Sequence, residues 1–219
     1  MLTSTPDGLP PLFFARAALG LAKPLKLFLN RSLSTGIVPT AWKKSFVTPV
    51  FKSKGKRSDV ANYRPISITA VASKVLERIL TVGHCERHRL LDFQQFGFRP
   101  RRSTTLQLAI TLDNWLTSFN DASAATDVVS LDFKAAFDMV NHRMLIAKLP
   151  SFGLSPPIID WIANFLSSRS FCVKVNDSLS SCKPSSSGVP QGSVIGPLLF
   201  LLYVTDLQSE IPPGISHRC

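Results

Sequence analysis

The chain of 219 residues is 45% hydrophobic and 18% charged, a balance that excludes a disordered tail and suffices for one large domain or two small ones. Its net charge of +11 and isoelectric point of about 9.9 point to a polyanionic partner, the plain alternative being a solvated basic surface. The longest apolar run, 194–204, is broken by Gly196 and Pro197 and is too short for a bilayer, and the first residues lack the pattern of a secretory leader. The expectation is an intracellular protein, in nucleus or cytoplasm, with no membrane partner.

In chain order, residues 1–11 form a loop whose Pro6-Asp7-Gly8 marks a turn. Residues 12–33 are helical, with an interruption expected near Pro24, and Gly36 and Pro39 stop the helix. Residues 45–51 make a strand, and Lys52-Ser53-Lys54-Gly55-Lys56-Arg57 a mobile basic loop. A second strand, 64–68, contains Pro65 and therefore belongs at a sheet edge. Residues 70–91 form a helix with Val71, Val75, Leu76, Ile79 and Leu80 on one face. Residues 95–104 are a basic, aromatic loop from which Ser103 or Thr104 caps a helix running to Phe119. After a polar turn at 120–126 come a strand at 128–131, a helix over 134–149, and a helix opened by Pro156-Pro157 and running to Leu166. A hairpin over 171–182 turns at Asn176-Asp177, and a Gly/Pro loop at 185–192 leads into an apolar helix over 194–207.

The four cysteines contain no C-x-x-C pair. Cys172 and Cys182 could face each other across the hairpin, but buried reduced thiols are the simpler expectation. His84 and His88 have the spacing of a two-point metal grip beside Cys85, yet no further ligand pair accompanies them, so a zinc site is not expected.

Residues 128–140 hold the most chemistry-bearing feature. The run Val128-Val129-Ser130-Leu131 has strand character, and Asp132 falls where the period switches to helical. A carboxylate at the lip of a strand either presents chemistry or caps the next helix, and this stretch alone leaves both open.

Four separated stretches, in the right order, resemble the reverse-transcriptase domain of non-LTR (LINE-like, jockey-type) retrotransposons. They are Val50-Phe51-Lys52 through Asn62-Tyr63-Arg64-Pro65-Ile66-Ser67, Gln95-Phe96-Gly97-Phe98-Arg99, Leu131-Asp132-Phe133-Lys134-Ala135-Ala136-Phe137-Asp138, and Gly188-Val189-Pro190-Gln191-Gly192-Ser193 leading into Gly196-Pro197-Leu198. The segments Pro6-Asp7-Gly8 and Gly36-x-x-Pro39-x-x-Trp42-Lys43 resemble the lead-in such elements share. Any one of these would be weak; together they settle the contest over Asp132 in favour of function.

The resemblance implies an α+β right-hand polymerase. Residues 1–126 would be lead-in and fingers-like, and 127–219 a partial palm with an incomplete sheet and no thumb. The implied activity is RNA-directed DNA polymerisation, with an RNA template, a DNA primer, dNTPs and Mg²⁺ or Mn²⁺. In-line phosphoryl transfer uses two divalent ions held by hard oxygen ligands. By resemblance, Asp132 is a catalytic metal ligand, joined by the Phe133 carbonyl. Phe137 is the residue under the sugar, its plain alternative being a core aromatic. Gln191 and Gly192 meet the incoming nucleotide, where glycine allows close approach. Arg64 and, less specifically, Lys52 contact triphosphate or template backbone. Arg99, Arg101 and Arg102, interleaved with Phe96 and Phe98, suit a template surface.

One element of that pattern is missing. A Tyr/Phe-Ala-Asp-Asp hairpin should follow 201–207, but no Asp-Asp pair occurs in the sequence, and Asp206 is a poor substitute. The expectation is half a catalytic site in a fragment or a decayed element, inactive as a polymerase alone. A non-catalytic RNA-binding module or an unfolded relic are the competing readings, and a group II intron maturase the alternative within the same class.

Overall fold

The computed structural model describes residues 5–81, 91, 94–99, 101–119 and 127–210. It is a mixed α+β molecule. Helix α1 (Pro11–Arg16) passes at Ala17 into α2 (Ala18–Thr35). The break thus lies at Ala17, and α2 continues through Pro24. The carbonyl that this proline crowds belongs to Gly20, which can tilt without a side chain in the way. Gly36 ends α2 in the left-handed region (φ 65°), and a Cβ there would lie 2.9 Å from that of Asp160. Helix termination and close helix packing therefore need the same residue.

Strand β1 (Lys44–Phe51) pairs antiparallel with β2 (Tyr63–Ile68). The loop between them is held by Asn62 Nδ2 donating to the Lys56 carbonyl (2.9 Å) and the Tyr63 hydroxyl to that of Arg57 (2.9 Å). Helix α3 (Val71–Leu80) buries Ala72, Ser73, Leu76, Glu77 and Leu80, while Ile79 is exposed. Its inner face is therefore rotated from the one expected. The continuation to residue 91 and the cluster His84, Cys85 and His88 lie outside the described residues, apart from Leu91 itself, which is a bend. Helix α4 (Thr104–Phe119) is capped by Ser103, whose hydroxyl accepts from the Leu106 N–H (3.1 Å).

Two expectations fail between 127 and 149. Residues 128–131 are not a strand: none of the described strands runs beside them, and an extended segment without a ladder partner is not a sheet. Residues 134–139 are turns, with Ala135 at φ 52°, and helix α5 (His142–Lys148) starts only after Asn141. Asn141 Oδ1 accepts from the Met144 N–H (3.1 Å), so the cap is Asn141 rather than Asp132.

Helix α6 (Pro156–Leu166) packs on α2. Trp161 Nε1 donates to the Ser32 hydroxyl (3.1 Å), and Asn164 accepts from the Val38 N–H (2.9 Å). Strand β3 (Arg169–Val175) runs parallel to β1. It pairs antiparallel with both β4 (Ser178–Leu179) and β5 (Lys183–Ser185), giving the order β2-β1-β3-β4 with β5 also on β3. Pro65 thus sits on an edge strand, as expected. Cys172 and Cys182 are joined in a disulfide, Cα atoms 4.3 Å apart, which corrects the reduced-thiol reading: the hairpin sets the two side by side. Helix α7 (Gly196–Val204) is apolar all round and ends in a 3-10 turn at Thr205–Glu210. It is a core helix, joined in one cluster by Trp161, Phe165, Leu145 and Leu76.

Candidate functional site

The loop 188–193 is the point on which the separated motifs converge. At its first end, Gly188 N–H donates to the Val140 carbonyl (2.9 Å) and Val189 N–H to that of Phe137 (2.8 Å). Gly188 has φ 80°, and a Cβ there would stand 2.8 Å from the Asp138 Cα and the Phe137 oxygen. Only glycine fits both the dihedral and the gap. His142 Nε2 lies 2.6 Å from the Gly188 carbonyl.

In the middle, the Ser67 N–H donates to the Gln191 carbonyl (2.6 Å), laying the loop along β2. Gly192, at φ 121°, presses on the same strand so closely that a Cβ would fall 2.4 Å from the Ser67 oxygen. At the far end, Ser193 Oγ donates to the Pro190 carbonyl (2.8 Å) and accepts the Gly196 N–H (3.1 Å), opening α7. The Gly-x-x-x-Gly-Ser spacing therefore has a steric reason at both glycines and a hydrogen-bonding one at Ser193.

One anchor of this loop has no counterpart in the sequence reading. Glu77 is fully buried on α3; its Oε2 accepts the N–H groups of Val194 (2.7 Å) and Ile195 (3.2 Å), and Oε1 accepts the Ser73 hydroxyl (2.8 Å). Each hydrogen bond contributes about 0.5–1.5 kcal/mol, so three on one buried side chain outweigh any single main-chain bond in the loop. The spacing of Ser73, Leu76, Glu77 and Leu80, i, i+3, i+4, i+7, is the signal that places a serine and a glutamate on the inner face.

Beside the loop lies a cleft of about 410 Å³, lined by Ser45, Ser67, Asp138, Arg169, Ser186 and Gln191 among others. Arg169 is 4% exposed, its guanidinium stacked over the Phe165 ring (4.6 Å) and donating to the Phe165 carbonyl (3.1 Å). Burial lowers its pKa to about 10, against which nearby Glu77 pulls upward, so it is charged at neutral pH.

Phe137 is half-buried and joins a further motif and the core helix: its ring is 5.8 Å from Phe98, edge-on, and 5.3 Å from Phe200 on α7. Phe133 meets Phe200 at 6.0 Å. Phe98 is 64% exposed, leaving most of its surface free for a further contact. Arg102 lies over the Phe96 ring at 4.7 Å, Arg101 is exposed, and Arg99 is half-buried.

The other expected residues are more scattered. Asp132 stands exposed in the irregular segment, with Val129 and Leu131 also outward at 81% and 79% exposure. Arg64 is exposed on β2; since Pro65 and Ser67 line the cleft, alternation turns Arg64 to the opposite face. Lys52 spends its ammonium on the Ala61 carbonyl (2.8 Å). Asp206 is bound to Lys148 (2.6 Å), whose hydrogen bond holds its carboxyl below the usual range, so it is engaged elsewhere. Among the described residues no three His, Cys, Asp or Glu side chains gather as a metal-binding group. One exposed carboxylate and a main-chain carbonyl do not fit a two-ion clamp, which needs further hard oxygen ligands fixed about both ions. No described helix is long and apolar enough to cross a membrane.

Comparison with known proteins agrees with the convergence of motifs. The sequence family described as "Reverse transcriptase (RNA-dependent DNA polymerase)" matches residues 52–218. The RNA-directed DNA polymerase from mobile element jockey of Drosophila melanogaster is 32% identical over 197 residues, 86% of this chain and 21% of that protein. The probable RNA-directed DNA polymerase from transposon BS, also of Drosophila melanogaster, is 33% identical, with 84% of this chain and 20% of that protein covered. The Pol polyprotein of type-1 retrotransposable element R2 of Popillia japonica is 30% identical, with 86% of this chain and 26% of that protein covered. The chain spans about a fifth of the length of the first two relatives. It belongs to the reverse transcriptase (RNA-dependent DNA polymerase) family, in its non-LTR retrotransposon branch.

Proposed function

We propose that this chain supplies the fingers-like region (1–126) and part of the palm (127–219) of an RNA-directed DNA polymerase of a non-LTR retroelement. The whole protein would add deoxynucleotides to a primer 3′-OH on an RNA template. The observation that carries the reading is the loop 188–193, seated on Ser67 of one motif and on Phe137 and Asp138 of another. In this reading Gln191 and Gly192 face the base pair being formed, and Phe137, backed by Phe98 and Phe200, lies under the sugar. Arg64 and Lys52, which do not line the cleft, are left to phosphates of the template backbone, and Arg99, Arg101 and Arg102 follow the template strand with Phe98 as a stacking surface. Asp132 and the Phe133 carbonyl are the ligands this chain would contribute toward divalent ions such as Mg²⁺, a set that does not by itself fit a two-ion clamp. A second reading, a non-catalytic RNA-binding module, is favoured by the lone carboxylate of the site.

Both readings require a basic template surface. Single-stranded RNA should bind with an affinity that falls with salt, each neutralised phosphate adding about 0.7 to the log–log slope. Arg101→Gln is expected to lower that slope by about 0.7 and weaken binding alike for all sequences. A salt-independent isotherm, or a slope unmoved by this substitution, would remove the template surface from residues 99–102.

A further inference from the structure

We infer that Glu77 is a positioning residue: its buried carboxylate sets where Gln191 and Gly192 stand over β2. As a role in nucleotide handling, this rests on the reading given under Proposed function. The loop 188–193 is held at three places. Two consist mainly of main-chain bonds, at Gly188 and Val189 on one side, where His142 also meets the Gly188 carbonyl, and at Gln191 over Ser67; both need glycine at 188 and 192 for the close approach. The third is Glu77, which takes the N–H groups of Val194 and Ile195 on a single oxygen, directly after the loop. Glu77 also belongs to α3, an element that joins β2 through Thr69 and Ala70, both buried. The carboxylate therefore fixes the distance between the end of the loop and the helix that continues β2. Ser73 holds the other oxygen and so sets the rotamer.

A mere counter-charge for Arg169, or a helix-end charge for α7, makes the opposite demand on substitutions. Those roles need the charge and tolerate a shift; positioning needs the reach and tolerates loss of charge. Glu77→Gln keeps the length, one oxygen for the two N–H donors and an amide able to donate to the Ser73 hydroxyl. Glu77→Asp keeps the charge and withdraws it by one methylene.

The test uses the full 219-residue chain and its two variants. Hydrogen exchange of the 191–195 amides is followed beside titration with a fluorescent dNTP in the presence of primer–template and Mg²⁺. Glu77→Asp is expected to speed exchange at Val194 and Ile195 about tenfold and to weaken nucleotide affinity by a similar factor, while Glu77→Gln stays within about threefold of wild type. The reverse order, Gln disrupted and Asp silent, overturns the inference in favour of a charge role, and so does equal exchange in all three. If wild type binds no nucleotide, the nucleotide reading fails for this chain. The exchange order alone then decides whether Glu77 positions the loop. Should Glu77→Asp not melt cooperatively, Ser73→Ala replaces it, with an expected rise of about threefold in exchange at the same two amides; no rise overturns the inference.

Discussion

At the scale of single residues, the loop 188–193 shows how far composition carries. Its glycines and proline announce a turn, and the structure gives each glycine a separate reason. Gly192 faces the Ser67 main chain, which cannot move aside without breaking β2. Gly192→Ala is therefore expected to lose about 2–4 kcal/mol, from a strained dihedral plus overpacking. Gly153→Ala separates the two terms, since Gly153 has φ 69° but nothing within 4 Å of the point a Cβ would occupy. It should lose only about 1–2 kcal/mol. Urea unfolding of both variants checks this, and equal losses would mean that the contact with Ser67 is not tight. Glu77 was legible by spacing as an inner-face residue but not as an anchor, for a complementary reason. A glutamate on an amphipathic helix is ordinarily solvated, and its burial here depends on two N–H donors 117 and 118 residues away.

At the scale of elements, β1, β2, α2, α6 and the hairpin were readable because their patterns are local. Alternation, an N-terminal Pro-Pro and an Asn-Asp turn each specify geometry without outside help. The strand expected at 128–131 was not, because a strand exists only beside another strand, and its β-branched residues state a preference, not a partner. The helix expected from Lys134 fails at Ala135, and the helix that does form starts at the Asn141 cap, a residue type that favours that position. The hairpin's disulfide closes a segment of sequence separation 10. By the chain-entropy estimate it adds roughly 2–3 kcal/mol. Unfolding with and without reductant, against Cys182→Ser as control, should show that difference; coincident curves would mean that the link adds nothing to stability.

At the scale of the whole molecule, charge and catalytic ligands are unequally provided. The net charge of +11 suits a polyanion, whereas the proposed site offers one candidate carboxylate, Asp132, in an exposed segment. A primer-extension assay on the isolated chain, with RNA template, dNTPs and Mg²⁺, is expected to give no synthesis dependent on Asp132. Product that disappears in Asp132→Asn would refute this and would require further ligands that the described residues do not gather. The nucleic-acid reading was legible from charge and motif order. The shortage of candidate metal ligands was legible only in part: the lack of an Asp-Asp pair is visible in sequence, but the exposure of Asp132 is not.

One detail of the sheet bears on behaviour in solution. Pro49 and Pro65 stand opposite each other in the β1–β2 ladder. Neither has an N–H, so they occupy a pair that exchanges no hydrogen bonds, and Ser67, two residues on, must send its N–H outward. That outward donor is the one the Gln191 carbonyl takes. The free margin of β2 thus presents a proline at one place and a covered donor at the next. A neighbouring molecule finds little there to zip onto, and growth of the sheet into fibres is blocked on this side by the same loop that lines the cleft.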